Sequence, residues 1–230
     1  LTYDGNDRAL EAIMTTDTMP KEVAVKFRLG GVTCTMGGML KGSGMIHPNM
    51  ATTLTFITTD ADISAELLQR ALSDIVKVTL NRASVDGDTS TNDMVCVLAS
   101  GSAGNKTVCR EDEDFEEFET ALYAIMMNLA RKMARDGEGA TKLIECSVSG
   151  AETEKIAETV AKSVICSSLF KAAMFGEDAN WGRILCAVGY ADADFDINKV
   201  DVKIASAKGS VEVCKNGAGI EFSEEKAKEI

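Results

Sequence analysis

Lys41-Gly42-Ser43-Gly44-Met45-Ile46-His47-Pro48-Asn49-Met50-Ala51-Thr52 is the densest unusual stretch of this chain. Its glycines allow backbone amides to approach a ligand or to take up a strained turn. It is not a P-loop, because the lysine precedes the glycines and Pro48 leads into β-type residues instead of a helix. His47 is the only histidine, and it stands in the wrong company for a Ser-His-Asp triad. A threonine can work without histidine if its own freed α-amino group serves as the base. Such an amine has a pKa near ~7.7–8, whereas lysine normally titrates above ~10. Freeing it requires cleavage of the peptide bond before the threonine. The threonine hydroxyl can do this itself by attacking the preceding carbonyl, given a small preceding residue and a strained turn. Ala51-Thr52 meets that description, and Thr53 offers a rival hydroxyl one residue on.

Other candidates are weaker. Lys41 by itself is a solvated loop lysine, Thr15 a turn or cap hydroxyl, and Glu138 an exposed residue past a helix end. The run Asp86-Gly-Asp-Thr-Ser-Thr-Asn-Asp93 is rich in oxygen ligands, but its spacing is not that of an EF-hand; a hydrogen-bonded structural turn is expected. The seven cysteines are scattered without C-x-x-C, and several interrupt apolar runs. They are expected to be buried, reduced thiols packing as small hydrophobes, and no metal site is expected.

The elements that must position these residues follow from periodicity. Val23, Val25, Phe27 and Leu29 alternate, then Val32, Cys34 and Met36, around Gly30-Gly31: a β-hairpin. A glycine-rich passage spans 36–44, and 53–59 is strand-like. Helical stripes run through Ile63, Leu67, Ala71, Ile75 and Val78, with Asp62 or Ser64 as N-cap, and through Phe115 to Met133. The second has an acidic start, a basic end and Gly137 in the C′ position. A third helix is expected over 152–175. Strands are expected at 94–98, 142–149 and 184–189, and a hairpin at 202–215. This order predicts layered α and β without a linker long enough to divide domains.

Of 230 residues, 24 are Lys or Arg and 36 are Asp or Glu, a net charge of −12. That balance opposes binding along a phosphate backbone. No apolar run approaches the ~18 residues of a membrane span, so a cytoplasmic protein without nucleic-acid or membrane partners is expected. The chain opens at Leu1 and stops at Ile230 inside an expected helix, so both ends read as cuts through a longer protein.

The string from Lys41 to Thr52 closely resembles the self-processing site of bacterial bifunctional ornithine acetyltransferases/N-acetylglutamate synthases, the ArgJ family. Four further strings agree in order and spacing: Ala12-Ile-Met-Thr-Thr-Asp-Thr18 with Pro20-Lys21, Asp86 to Asp93, Gly137-Glu-Gly-Ala-Thr-Lys142, and Asp178-Ala-Asn-Trp-Gly-Arg-Ile184. The resemblance implies an α/β layered fold, an ArgJ/DmpA-like sandwich of helices and sheets, in a self-cleaving N-terminal-threonine enzyme. Residues 1–51 would be the end of an α chain and 52–230 the start and centre of a β chain.

Carried over, Ala51-Thr52 is the scissile bond and Thr52 the nucleophile. It would take acetyl from N-acetylornithine and pass it to glutamate. Thr15, Lys41, Thr52 and Glu138 match substrate-binding positions. The resemblance implies no metal and no cofactor, with acetyl-CoA a co-substrate in bifunctional members, and an α2β2 assembly of cleaved chains. The family's oxyanion-hole threonine and glycine, and further polar substrate contacts, fall outside these 230 residues. Thr53 stands where the family commonly has Met or Leu. Two alternatives stay open: an N-terminal-nucleophile amidase or aminopeptidase, in which water takes the acyl group, and an inactive fragment.

Overall fold

The computed structural model describes residues 2, 5–47 and 53–230. The chain forms two compact units, Leu1–Leu143 and Ile144–Ile230, where the sequence predicts no division. The junction escapes notice because Lys142-Leu143-Ile144-Glu145 has none of the Gly, Pro or Ser enrichment of a linker.

The first unit begins with helix α1 (Gly5–Ile13) and the expected hairpin, β1 (Lys21–Leu29) and β2 (Val32–Lys41). Gly30 and Gly31 both have positive φ, as the tight turn requires. β2 pairs antiparallel with β3 (Leu54–Thr59), and β3 pairs parallel with β4 (Met94–Ala99), giving the order β1-β2-β3-β4. The strand β2 runs through the glycine-rich passage to Lys41, further than its composition suggests. Gly38 explains this. A Cβ there would lie 3.0 Å from Ile125 Cγ2 and 3.2 Å from Leu129 Cδ1, so the glycine lets a helix close onto the strand.

That helix is α3 (Glu113–Arg135), whose whole predicted stripe is buried: Phe115, Phe118, Leu122, Ile125, Met126, Leu129 and Met133. It lies on β1 and β2 beside α2 (Ala65–Val78), which Ser64 caps by accepting the Leu67 N–H. Phe27, Leu29, Met36, Leu40 and Ile57 meet this layer from the sheet. Each such side chain contributes about 1.5–3 kcal/mol through burial.

The second unit corrects three expectations. The single helix predicted over 152–175 is two, α4 (Glu154–Cys166) and α5 (Ser168–Phe175). Ser167 leaves the helical conformation and caps α5 by accepting the Phe170 N–H. The strand predicted at 184–189 is instead α6 (Trp181–Gly189), with Ile184, Ala187 and Val188 buried. A short apolar run fits a buried strand or a buried helix equally, and the decisive signal is the cap: Asn180 Oδ1 accepts the Arg183 N–H at 3.0 Å. The motif Asp178–Ile184 is thus a helix-starting device, with Asp178 in turn accepting from Asn180 Nδ2 at 2.9 Å.

Residues 142–149, expected as a strand, pair with no strand among the described residues, although Ile144, Cys146 and Val148 alternate inward onto the second core. The late hairpin forms as β5 (Val202–Ser206) and β6 (Gly209–Lys215), extended by β7 (Ala218–Gly219). A short helix, α7 (Glu224–Glu229), follows.

All seven cysteines are free, but only Cys34 and Cys214 are buried, while Cys109 and Cys186 are exposed. Cys186 departs from expectation because its segment is a helix, which turns it away from the core that a strand would have offered. No helix among the described residues is long and apolar enough to cross a membrane.

Candidate active site

At the end of the sheet where β2 stops, a buried ion cluster organises three separate segments. Lys21 occupies the inward face of β1, in phase with Val23, Val25, Phe27 and Leu29, and its ammonium is wholly buried. It bonds Asp17 Oδ1 at 2.6 Å and Asp136 Oδ2, both also buried. Asp17 spends its remaining capacity on backbone amides, accepting from Gly42 at 2.7 Å and Thr15 at 3.2 Å. Asp136 caps α3 and accepts from the Thr18 amide at 3.1 Å and the Thr18 hydroxyl. Burial pushes both carboxyls up. The Lys21 bond and these further donors outweigh it and hold them below the usual range.

The consequence is spatial. Thr15, the start of the 42–47 loop and the residues after α3 are tied to one cation. Lys41 Nζ donates to Thr15 Oγ1 at 3.1 Å. Ser43 Oγ donates to the Asp136 carbonyl at 2.7 Å, and the Glu138 amide donates to the Ser43 carbonyl at 3.0 Å. Gly44 leaves room for the Glu138 carboxylate, which a Cβ there would meet at 2.6 Å. Thr15, Lys41 and Glu138 therefore lie around one loop, an exposed hydroxyl and carboxylate with a half-buried ammonium. Such a pair of opposite charges can hold an amino acid by its two ends.

The 86–93 segment clamps the same loop from the other side. Asp86 accepts the Met45 and Ile46 amides at 2.6 and 3.0 Å, and Thr89 Oγ1 donates to the His47 carbonyl at 3.0 Å. Met45 takes φ +57° under this hold, a rare conformation for a side chain of its size. The acidic run is thus a structural turn, as its spacing suggests. His47 contacts Ser84 Oγ through Nδ1 at 3.1 Å. Among the described residues no group of three or more His, Cys, Asp and Glu could hold a metal.

The expected scissile bond and nucleophile, Ala51 and Thr52, lie outside the described residues. Thr53 is 3% exposed, and its Oγ1 accepts from Thr55 Oγ1 at 3.5 Å. Its carbonyl accepts the Met94 N–H at 2.8 Å. Thr53 thus stands at the rim of the sheet, one residue before β3 begins.

The model of the ArgJ family matches residues 2–230. This chain belongs to the ArgJ family. It is 51% identical, over 97% of its own length and 55% of the relative's, to arginine biosynthesis bifunctional protein ArgJ 1 of Clostridium acetobutylicum. It is 53% identical to the ArgJ of Caldanaerobacter subterraneus subsp. tengcongensis, over all of this chain and 57% of that one. The chain thus spans little more than half the length of these curated relatives. The crystal structure of ArgJ from Bacillus halodurans matches with a TM-score of 0.70 at 46% identity, over 75% of this chain and 78% of that chain. It supports the layered α/β architecture expected of an ArgJ chain.

Lys21, Asp17 and Asp136 receive no role from the sequence reading of this ArgJ chain, although Asp17 and Lys21 stand inside one of the family strings. A signal was present. Extending the alternation of β1 back by two residues places a lysine on the buried face, and a buried lysine needs a carboxylate. Asp17, four residues earlier, is one candidate. Asp136, more than a hundred residues later, has no local signal at all.

Proposed function

We propose that the full-length protein is a glutamate N-acetyltransferase of arginine biosynthesis. It moves acetyl from N-acetylornithine to glutamate through a Thr52 acyl-enzyme formed after self-cleavage at Ala51-Thr52. The observation that carries this reading is the gathering of Thr15, Lys41 and Glu138 around the loop that leads to Thr52. Lys41 would pair the α-carboxylate common to both acetylated substrates, and Glu138 the ornithine ammonium. The burial of the Thr53 hydroxyl favours Thr52 as the reacting group. Thr52 Oγ attacks the acetyl carbonyl while its α-amine takes the hydroxyl proton, and the ammonium so formed gives that proton to the ornithine nitrogen as the C–N bond breaks and ornithine leaves. The glutamate amine then attacks the ester and restores the hydroxyl.

This chemistry calls on no metal or cofactor. The relatives carry the word bifunctional in their names, which supports acetyl-CoA as a second acetyl donor at the same threonine. We further propose an α2β2 assembly of cleaved chains in the cytoplasm. With full-length protein, N-acetylornithine should be consumed much faster with glutamate present than in buffer alone, with N-acetylglutamate formed in equal amount. Equal consumption with and without glutamate would point to an amidase.

Lys41→Ala should lower kcat/KM roughly ten- to a hundredfold, the worth of about 1.5–3 kcal/mol for a charge-assisted hydrogen bond. Lys41→Arg should lose less, because it keeps the cation. An alanine variant with unchanged kcat/KM removes Lys41 from the site.

A further inference from the structure

Glu138 is exposed, and its carboxylate has no hydrogen-bond or ion-pair partner among the described residues. It rests instead against a residue without a side chain. A Cβ on Gly44 would lie 2.6 Å from both Cδ and Oε1 of Glu138 and 2.9 Å from Oε2. Carbon atoms in ordinary contact stand about 3.5–4.0 Å apart, so the carboxylate occupies the place of the missing methyl group. The backbone itself does not ask for glycine here: Gly44 lies outside the left-handed region, which Met45 beside it occupies.

The two backbones cannot part to relieve crowding at this point. The Glu138 amide donates to the Ser43 carbonyl at 3.0 Å, and the buried Ser43 hydroxyl donates to the Asp136 carbonyl at 2.7 Å. On the other side Asp86 holds the Met45 and Ile46 amides. With residues 43, 45, 46 and 138 anchored, only the Glu138 side chain can make way for a methyl group at 44. Its carboxylate would swing aside by roughly 1 Å to restore ordinary contact. The direction of the Glu138 carboxylate is therefore set at position 44.

We propose that Gly44 is a positioning residue for the acetyl donor: by leaving its side-chain space empty, it seats the Glu138 carboxylate where the cationic end of the donor arrives. This rests on the pairing of Glu138 with the ornithine ammonium proposed above. Lys41 takes the α-carboxylate and Glu138 the far ammonium, and the spacing of these two charges selects a donor whose side chain ends in a cation. A carboxylate displaced by about 1 Å no longer matches that spacing. Glutamate, the acceptor, has no such cation and gains nothing from the seat.

The test is a double-mutant cycle in the full-length protein with Gly44→Ala, Glu138→Ala and the pair, rates being normalised to the cleaved fraction read by mass spectrometry. Glu138→Ala should lower kcat/KM for N-acetylornithine about tenfold or more. Gly44→Ala should lower it severalfold by raising the donor KM with kcat little changed. The reason is that the ammonium is remote from the acetyl carbonyl and is bound alike in the ground and transition states. Its KM for glutamate should not rise. In the Glu138→Ala background, Gly44→Ala should add no further loss, since no carboxylate is left to displace. The proposal is overturned by an unchanged donor KM in Gly44→Ala, by a glutamate KM that rises with it, by a Gly44→Ala chain that stays uncut, or by losses that add fully in the pair. Unchanged donor use in Glu138→Ala removes Glu138 from the site and this proposal with it, a result distinct from full additivity.

Discussion

Thr52→Ala in the full-length protein should give one uncut chain and no acetyl transfer, a loss on the order of 10⁴-fold or more, as when other covalent nucleophiles are removed. Two tasks fall on one hydroxyl, since it must break the bond before it and then carry the acyl group. Thr52→Ser should retain both in weaker form, because the hydroxyl survives while the methyl that restricts χ1 is lost. Thr53→Ala should be cut at the same bond, since the Thr53 hydroxyl is turned into the sheet towards Thr55. The wild-type rate should rise with pH through the amine pKa near ~8, as an ammonium cannot accept the hydroxyl proton. Mass spectrometry of each variant reads the cleavage. A Thr52→Ala chain still cut between residues 51 and 52 would sink the assignment.

Lys21→Met should have the largest effect on stability. It leaves Asp17 and Asp136 buried with no cation between them, and breaking such a cluster typically costs about 3–5 kcal/mol. At neutral pH the melting temperature should drop by roughly 10 °C. The pH dependence separates this cause from simple loss of packing. In the wild type both carboxyls are held below their usual range, so the stability they contribute is present above pH ~4 and is lost as pH falls through the lowered values. In the variant two buried carboxyls face each other without a partner, and their pKa values rise. Their penalty is then greatest at neutral pH and shrinks as acid protonates them. The gap between wild type and variant should therefore narrow from pH 7 to pH 5. A gap that stays constant would assign the loss to packing. The kcat/KM for acetyl transfer should fall too, because Thr15, Gly42 and the residues after α3 all hang on this cluster.

The parts of the fold that were legible in the sequence are those in which local and tertiary demands agree. The hairpin around Gly30-Gly31 combines alternation with a turn that only glycine suits, and α3 carries an unbroken stripe with charges of the right sign at both ends. Where the two demands diverge, periodicity misleads. Residues 184–189 are apolar enough for a buried strand, and only Asn180, four positions earlier, marks a helix. At Ser167 one hydroxyl divides what the apolar pattern presents as continuous. The candidate site was legible through its family strings and not through its physics. Thr15, Lys41 and Glu138 are ordinary residues for a turn, a strand end and a helix exit. What makes them a group is a contact between Lys21 and Asp136 that spans half the chain, which no local pattern encodes.

The antiparallel pairing of β2 with β3 runs from Lys41 opposite Leu54 to Met36 opposite Thr59. The proposed cut falls within the connection between these two strands. Cutting there removes a covalent link but leaves every rung of the ladder, so the two products stay woven into one sheet. Folding before the cut is a unimolecular search by one chain. Refolding after it requires two separate chains to meet, at a rate that depends on their concentration. Such a cleavage would act as a ratchet: the architecture would be assembled once, while the strands still share a backbone, and the cut protein would keep a topology it cannot easily rebuild.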